Sequence, residues 1–426
     1  ECPFPVTKEN EERRNMKNRT IKAGRLFIHK NGIRAGVSVF LLTLLAACGA
    51  DDNVPDMPLG DRSIGFSTTV EDTQTRSGAL ATGNLLSMGI FAYYTGSNDL
   101  TISEKPNFMY NQEVKRSNAS SPWTYSPVKY WPNNPGDKLT FFAYAPYVKE
   151  AIGSNPSFRP ATDKGYPILD YIVSAKDNDQ TDLLVSIPPS MNLTYGTNNG
   201  KVSLHMSHAL TRVSAYVKSG DNVQGKQVTV FSMQATKKAT LIFRDPTPSY
   251  NKYASWSYIN PIEMITVSPS ATLPFAVPAV KDEKKLLADF FLLPAARINE
   301  SDHKFSITYT TAGTASSGDT PVQTVTLSNQ TLPSMNKWEF GAYVSYTFLI
   351  EKQKLTVTAT SHPTWGDAGT GTVTGSVVIT YAENESTPNW SNGGSGSVDG
   401  KPVVTHSTVQ NDVQWEDGGT EIVEKS

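Results

Sequence analysis

The feature that most constrains the fold is a long succession of short segments in which apolar residues alternate with polar ones. Segments such as "SIGFSTTV" (63–70), "KLTFFAYAPY" (138–147) and "HKFSITYTT" (303–311) are rich in β-branched and aromatic residues, and Gly, Pro, Asn and Asp separate them. Charged residues make up only 18% of the chain, and long segments rich in Ala, Glu, Lys and Leu are missing. The pattern predicts an all-β chain built of antiparallel β-sandwiches.

The stretch "TYGTNNGK" (194–201) separates two series of such segments. We therefore predict an N-terminal β-sandwich domain over residues 63–199 and a C-terminal one over 200–366, both of ordinary size. Residues 367–426 are rich in Gly, Ser and Thr. A 25-residue repeat begins just before them: "WGDAGTGTVTGSVVIT" from Trp365 recurs as "WSNGGSGSVDGKPVVT" from Trp390. This repeat predicts a tail of small strand-turn-strand units.

The first 47 residues have the composition of an export signal. They carry nine Lys or Arg and four acidic residues, and if Met16 is the true start, a basic segment precedes thirteen residues, "AGVSVFLLTLLAA" (35–47), that are too short to span a bilayer. Without residues 1–47, 29 basic and 36 acidic residues remain, which changes the formal net charge from −2 to −7. This mildly acidic body has no basic stripe, so we expect no nucleic-acid partner.

The signal peptide ends at a cysteine. Leu45–Cys48 (LAAC) resembles the bacterial lipobox, and this resemblance implies that Cys48 becomes the lipidated first residue; an ordinary secretory cleavage site is the alternative. Asp51 and Asp52 resemble the acidic export signal of Bacteroidetes surface lipoproteins. Residues 48–62 would then form a tether to the cell outer membrane, which two or more acyl chains would make stable.

The chain lacks a recognisable catalytic signature. His205 and His208 lie on opposite faces of an alternating strand, whereas a metal site needs convergent ligands. No G-x-S-x-G motif is present, and "GGSGSVDG" (393–400) lacks the lysine and the helix of a phosphate-binding loop. We therefore predict no enzyme, no cofactor and no metal, although a carboxylate pair that forms only in three dimensions stays open as an alternative.

Aromatic residues are concentrated between positions 123 and 147. Alternation directs about half of them inward, so we predict mainly core packing, with an exposed glycan-binding face of an uncleaved surface lipoprotein as the alternative. The cluster consists of Trp123, Tyr125, Tyr130, Trp131, Phe141, Phe142, Tyr144 and Tyr147.

Several segments occur in an order that resembles the fimbrillin-like proteins of Bacteroidetes, which are lipoprotein-derived subunits of type V pili. They begin with "SIGFSTTVEDTQTRSG", "WTYSPVKYWP" and "KLTFFAYAP", continue with "TDLLVS", "VSLHMSHALTRVSAYV" and "FFLLPA", and end with "WEFGAYVSYTFLIEKQKLTVTATSHPTW". The resemblance runs from about Ile64 to Trp365. It implies two transthyretin-like sandwiches in tandem, cell adhesion, a surface location that changes from outer membrane to fimbrium, and other pilus subunits or a host protein or glycan receptor as partners.

The same resemblance gives a role to an arginine. In the family, a trypsin-like or arginine-specific protease cuts after an arginine that follows the first strand, and Arg76 in "TQTRSG" occupies the matching place, so the cut would fall between Arg76 and Ser77. Two alternatives remain. Arg76 could be a solvated loop residue, or Arg62 could be the cleaved residue, which would release the protein but leave the first strand in place.

The first strand would be removable. Ile64, Phe66 and Val70 share one of its faces, and at about 1.5–3 kcal/mol per buried side chain they would contribute roughly 5–9 kcal/mol. Loss of the strand would open an apolar groove with unpaired backbone, into which a strand of another subunit could insert. The preferred donor strand is 402–410, whose apolar and β-branched candidates are Val403, Val404, Thr405 and Val409.

Overall fold

The protein is described by a computed structural model. It describes residues 62–70, 79–196, 200–243, 253–295, 303–311, 323–333, 338–351, 354–362, 365 and 371–380, and the backbone alone of 396–397 and 403–407. Within these residues it has twenty-three strands and a 3₁₀ turn at Asp177–Asp179, and no α-helix, so the all-β prediction is confirmed. The predicted signal peptide (1–47) lies outside the described residues, as do Cys48, Arg76, Ser77 and Val409.

The strands are short and follow the alternating segments of the sequence. The first half of the chain contributes β1 (Gly65–Val70), β2 (Ser87–Tyr94), β3 (Met109–Lys115), β4 (Leu139–Ala145), β5 (Ser157–Phe158), β6 (Ile168–Ile172), β7 (Leu184–Ser186), β8 (Ser190–Leu193) and β9 (Lys201–His208). The second half contributes β10 (Thr211–Ser219), β11 (Gln227–Thr236), β12 (Lys238–Phe243), β13 (Ala254–Ser257), β14 (Met264–Val267), β15 (Phe275–Ala276), β16 (Lys284–Leu292), β17 (Lys304–Thr310), β18 (Gln323–Thr331), β19 (Tyr343–Ile350), β20 (Lys354–His362), β21 (Thr372–Thr380), β22 (Gly396–Ser397) and β23 (Val403–Ser407).

The strands form four sheets. The first has the order β1-β9-β7-β4-β2-β3, with β8 beside β4; the second is β16-β10-β19-β20-β21-β23; the third is β14-β11-β17-β18-β22, with β15 beside β11; the fourth is β13-β12-β6-β5. Most pairs are antiparallel, as predicted, but β1–β9, β10–β19 and β18–β22 are parallel. A parallel pair needs a long connection, and the chain between β1 and β9 supplies one by forming the rest of the first sheet.

The hydrophobic core consists of two clusters. The smaller one lies on one face of the first sheet and includes Phe66, Phe141 and Leu204. The larger one contains residues from both halves of the chain, among them Phe142 and Phe348. The two halves also share the fourth sheet, in which β6 pairs with β12.

The predicted domain boundary after residue 199 falls just before β9. Because β9 pairs with β1 and β7, a division there would separate three neighbouring strands of one sheet. The position of the boundary and the division into two tandem domains of transthyretin-like topology stay predictions.

The aromatic cluster is mainly core, as its alternation predicts. Trp131, Phe141, Phe142 and Tyr144 are buried, and Tyr130 is 46% exposed. Buried aromatic rings of this kind supply a large share of the apolar area removed from water in a sandwich.

The tail adds strands to the second sheet. β21 belongs to the first copy of the 25-residue repeat and pairs antiparallel with β23 of the second copy. Ile379 lies opposite Val404, and these two residues occupy the same position in the repeat. The two copies therefore pair symmetrically about this position.

Candidate functional site

Strand β1 occupies one edge of the first sheet. It runs parallel to β9, in a register that places Gly65 opposite Lys201 and Val70 opposite Met206. Only one of its long sides is bonded to a strand of this sheet, so fewer ladder hydrogen bonds hold it than hold a central strand.

Ile64, just before β1, and one face of β1 are buried in the smaller core cluster. Ile64, Phe66 and Val70 are 2%, 8% and 7% exposed. The ring of Phe66 packs edge-on against Tyr125 and Phe141, with centroids 5.5 and 6.0 Å apart. Aromatic packing of this geometry adds to the free energy gained from burial.

The opposite face of β1 is polar and exposed. Ser67 Oγ donates to Ser203 Oγ at 3.2 Å, and Thr69 Oγ1 lies 3.0 Å from Nδ1 of His205. His208 lies on the other face of β9, 5% exposed and 3.0 Å from the Asp182 carboxylate. The two histidines therefore point apart, as the alternation predicts. The described part of the chain contains no cluster of three His, Cys, Asp or Glu side chains suited to a metal.

The chain before β1 is held by the segment around residue 130. Ile64 N donates to Lys129 O at 3.0 Å, and Trp131 N donates to Arg62 O at 2.9 Å. The Arg62 guanidinium lies 4.7 Å from the centroid of the Tyr195 ring and donates to the carbonyl oxygen of Pro132. Arg62 is therefore part of the folded structure.

The chain after β1 is fixed again at residues 79–80. Ala79 is 2% exposed, and Leu80 N donates to Asp182 Oδ2 at 2.7 Å. Val70 N, at the end of β1, donates to Thr82 Oγ1 at 3.2 Å. The eight residues 71–78, which contain Arg76 and Ser77, thus connect two fixed points and lie outside the described residues.

Sequence reasoning missed a stack of rings close to this second fixed point. The Trp365 indole lies between the His208 imidazole, 3.7 Å away, and the Phe291 ring, 5.4 Å away, at interplanar angles of 13° and 15°. Arg212 donates to Trp365 O and pairs with Asp289 at 3.0 Å. Burial lowers the pKa of Arg212, but the Asp289 carboxylate outweighs it, so the pKa is raised. No local sequence pattern predicts contacts between residues so distant in sequence.

The predicted donor strand lies at a different edge. The backbone of Val403, Val404 and Thr405 belongs to β23, which pairs with β21 at one end of the second sheet. The structure does not bring this segment to β1, and Val409 lies outside the described residues.

The fold of this chain is similar to that of solved fimbrial proteins. A crystal structure of a fimbrial protein from Bacteroides vulgatus matches it with a TM-score of 0.56 and 22% identity, covering 71% of this chain and 98% of that chain. The profile described as fimbrillin-like matches residues 68–365. The chain belongs to the fimbrillin-like family, whose members are structural fimbrial and adhesion proteins and not enzymes.

A curated relative supports the same family. The fimbrium subunit Fim1C of Phocaeicola vulgatus is 29% identical over 249 residues, which is 54% of this chain. The match spans 63% of the relative's own length.

Proposed function

We propose that this chain is a subunit or tip adhesin of a Bacteroidetes pilus, exported as a lipoprotein, cleaved after Arg76 and assembled with other subunits by strand exchange in cell adhesion. The observation that carries the proposal is the geometry of β1, a strand at a sheet edge with one buried apolar face. Membership of the fimbrillin-like family supports it.

Export and anchoring rest on the sequence. The lipid on Cys48 would hold the uncleaved protein at the outer membrane by the tether 48–62, which ends where β1 begins. Cleavage after Arg76 would separate both the lipid and β1 from the rest of the chain. One peptide bond would therefore control release from the membrane and access to the groove under β1.

Removal of β1 would expose a well-defined surface. Val202, Leu204 and Met206 of β9 belong to the same core cluster as β1 and are almost completely buried. The three apolar side chains contributed by β1 would account for roughly 5–9 kcal/mol of stability. A strand from a neighbouring subunit that restores these contacts and the ladder of β9 would recover a similar free energy.

The contacts of Arg62 disfavour cleavage at that residue. A protease binds its substrate as an extended segment, and sites that need little unfolding are cut first. Arg62 is engaged by the Tyr195 ring and by Pro132 and Asn133, so a protease would have to break these contacts to reach it.

The donor strand is proposed to be 402–410. Within one chain β23 pairs with β21, so this pairing would open before β23 could insert into a neighbour. A strand at the end of a sheet is hydrogen-bonded to one neighbouring strand, so its release breaks fewer hydrogen bonds than the release of a central strand would.

The proposal is tested by expressing Arg76→Ala and, as the matched control, Arg62→Ala in the native cell. Polymers would be followed as ladders on unheated denaturing gels. We expect the Arg76 variant to stay monomeric and lipidated, and the Arg62 variant to polymerise like the wild type. Normal ladders from the Arg76 variant would contradict the proposal.

A further inference from the structure

An open cleft lies beside the outer edge of β3, the strand at the other end of the first sheet's strand order from β1. Among the described residues, the backbone of Thr124 pairs with β3 on this side, through mutual hydrogen bonds of 2.9 and 2.8 Å with Lys115. Away from this pair the two segments part and leave a cavity of about 510 Å³, which we name the tyrosine cleft. Its lining includes Tyr110, Gln112, Glu113, Tyr125, Ser126 and Tyr147.

Two of the tyrosine rings are held in position. Tyr110 Oη donates to Arg159 O at 2.7 Å, and its ring packs edge-on against Phe91 at 5.3 Å. Tyr125 Oη donates to Ile64 O at 2.9 Å. Rings that are already fixed lose little conformational freedom when a ligand binds.

A second depression of about 140 Å³ adjoins the tyrosine cleft. Its lining includes Tyr93, Phe158 and Tyr166, and Tyr110 borders both cavities. Two cavities that share a lining residue suit a ligand made of more than one sugar ring.

We propose that the tyrosine cleft binds a neutral oligosaccharide. Aromatic rings offer faces on which the C–H surface of a sugar can pack, and a few polar groups among them fix the orientation of a ligand. Here the Glu113 carboxylate and the Ser126 hydroxyl supply such groups. This inference concerns the uncleaved chain, in which Ile64 O and the Phe66 ring hold Tyr125 in place.

The charges in the cleft favour a neutral sugar. The lining contains one acidic and one basic residue, Glu113 and Lys115, and these two side chains form an ion pair at 3.0 Å. The paired charges offer an anionic sugar no net attraction.

The hydrogen bonds disfavour a peptide strand in the cleft. Gln112 Nε2 donates to Glu113 O at 3.1 Å and to Ser126 O at 3.2 Å. These carbonyl groups, one on each wall, already have a donor. A strand added at the edge of β3 would have to displace the Gln112 side chain.

Binding is tested on the full chain by titration calorimetry and saturation-transfer NMR. The neutral probes are lactose, N-acetyllactosamine, mannotriose and maltotriose; sialyllactose and an eight-residue strand peptide are the comparators. We expect at least one neutral probe to bind, Tyr147→Ala to weaken it tenfold or more, and Tyr147→Phe to retain it.

The control variant is Tyr130→Ala, because Tyr130 is 46% exposed and lines neither cavity. It should change affinity by less than twofold, and thermal unfolding would verify that each variant is folded. Binding of no neutral probe, of sialyllactose alone or of the peptide alone would overturn the proposal, as would unchanged affinity in folded Tyr147→Ala. None of these results bears on polymer formation, so the proposed pilus function is tested separately.

Discussion

Replacing Phe66 by alanine should weaken the attachment of β1 more than any other single change in that strand. Phe66 is 8% exposed and lies between the rings of Tyr125 and Phe141. Truncation of a buried phenylalanine to alanine costs about 3–5 kcal/mol, because contacts are lost and a cavity remains. For a strand held by non-covalent contacts alone, this corresponds to an equilibrium constant for dissociation that is about 10²- to several 10³-fold larger.

The effect can be measured on a nicked protein. A single engineered protease site within residues 71–78 would leave β1 attached by its contacts only. A fluorescent peptide of residues 63–70 would then report strand exchange through its incorporation into the nicked chain. We expect the Phe66→Ala strand to be replaced by the labelled wild-type peptide far more completely than the wild-type strand is.

Ser67→Ala is the matched control, because Ser67 lies on the exposed face and contacts only the Ser203 hydroxyl in the described structure. Its effect should be within about 0.5 kcal/mol. If Phe66→Ala and Ser67→Ala exchanged to the same extent as the wild type, the buried face of β1 would not determine its attachment, and the reasoning would be refuted.

Further predictions concern sites away from β1. Lys226 is 1% exposed and pairs with Asp221 at 2.5 Å. Asp221→Ala leaves this buried charge with less compensation, so it should lower the free energy of unfolding in urea by up to about 3 kcal/mol, whereas Lys226→Met should lower it less. Equal losses in the two variants would contradict this. A Cβ at Gly89 would lie 2.1 Å from the ring of Tyr144, but one at Gly83 would meet nothing within 4 Å. Gly89→Ala should therefore lower the free energy of unfolding by about 1–3 kcal/mol and Gly83→Ala by much less. An unchanged stability of Gly89→Ala would refute this packing. Hydrogen bonds from Lys237 and Lys238 lower the pKa of Glu263 to about 2. The stability that ionised Glu263 contributes should therefore be complete above its ordinary pKa and be lost as the pH falls towards 2. An NMR titration midpoint near 4.5 for Glu263 would contradict this.

The alternation of the sequence predicts much of the local structure. The pattern of β9 places His205 outside and His208 inside, and the structure shows this arrangement. The same period-two argument places Ile64, Phe66 and Val70 on one buried face of β1. Successive side chains of a strand point to opposite faces of the sheet, so the order of residues is enough to predict which of them share a face.

The sequence does not predict which strands become neighbours. The parallel pairing of β1 with β9 joins residues far apart in the chain, and no local signal encodes it. The boundary expected after residue 199 stays a prediction, although β9, which follows it, pairs with β1 and β7 of the first half. The stack of Trp365 on His208 likewise depends on two elements that meet only in the folded protein.

The central claim is tested most directly by determining the N-terminal residue of the protein isolated from its native cell surface. Terminal sequencing or mass spectrometry of the intact chain would identify it. The account predicts a start at Ser77 with no lipid attached. A lipidated Cys48 as the sole start would contradict cleavage after Arg76 and the removal of β1.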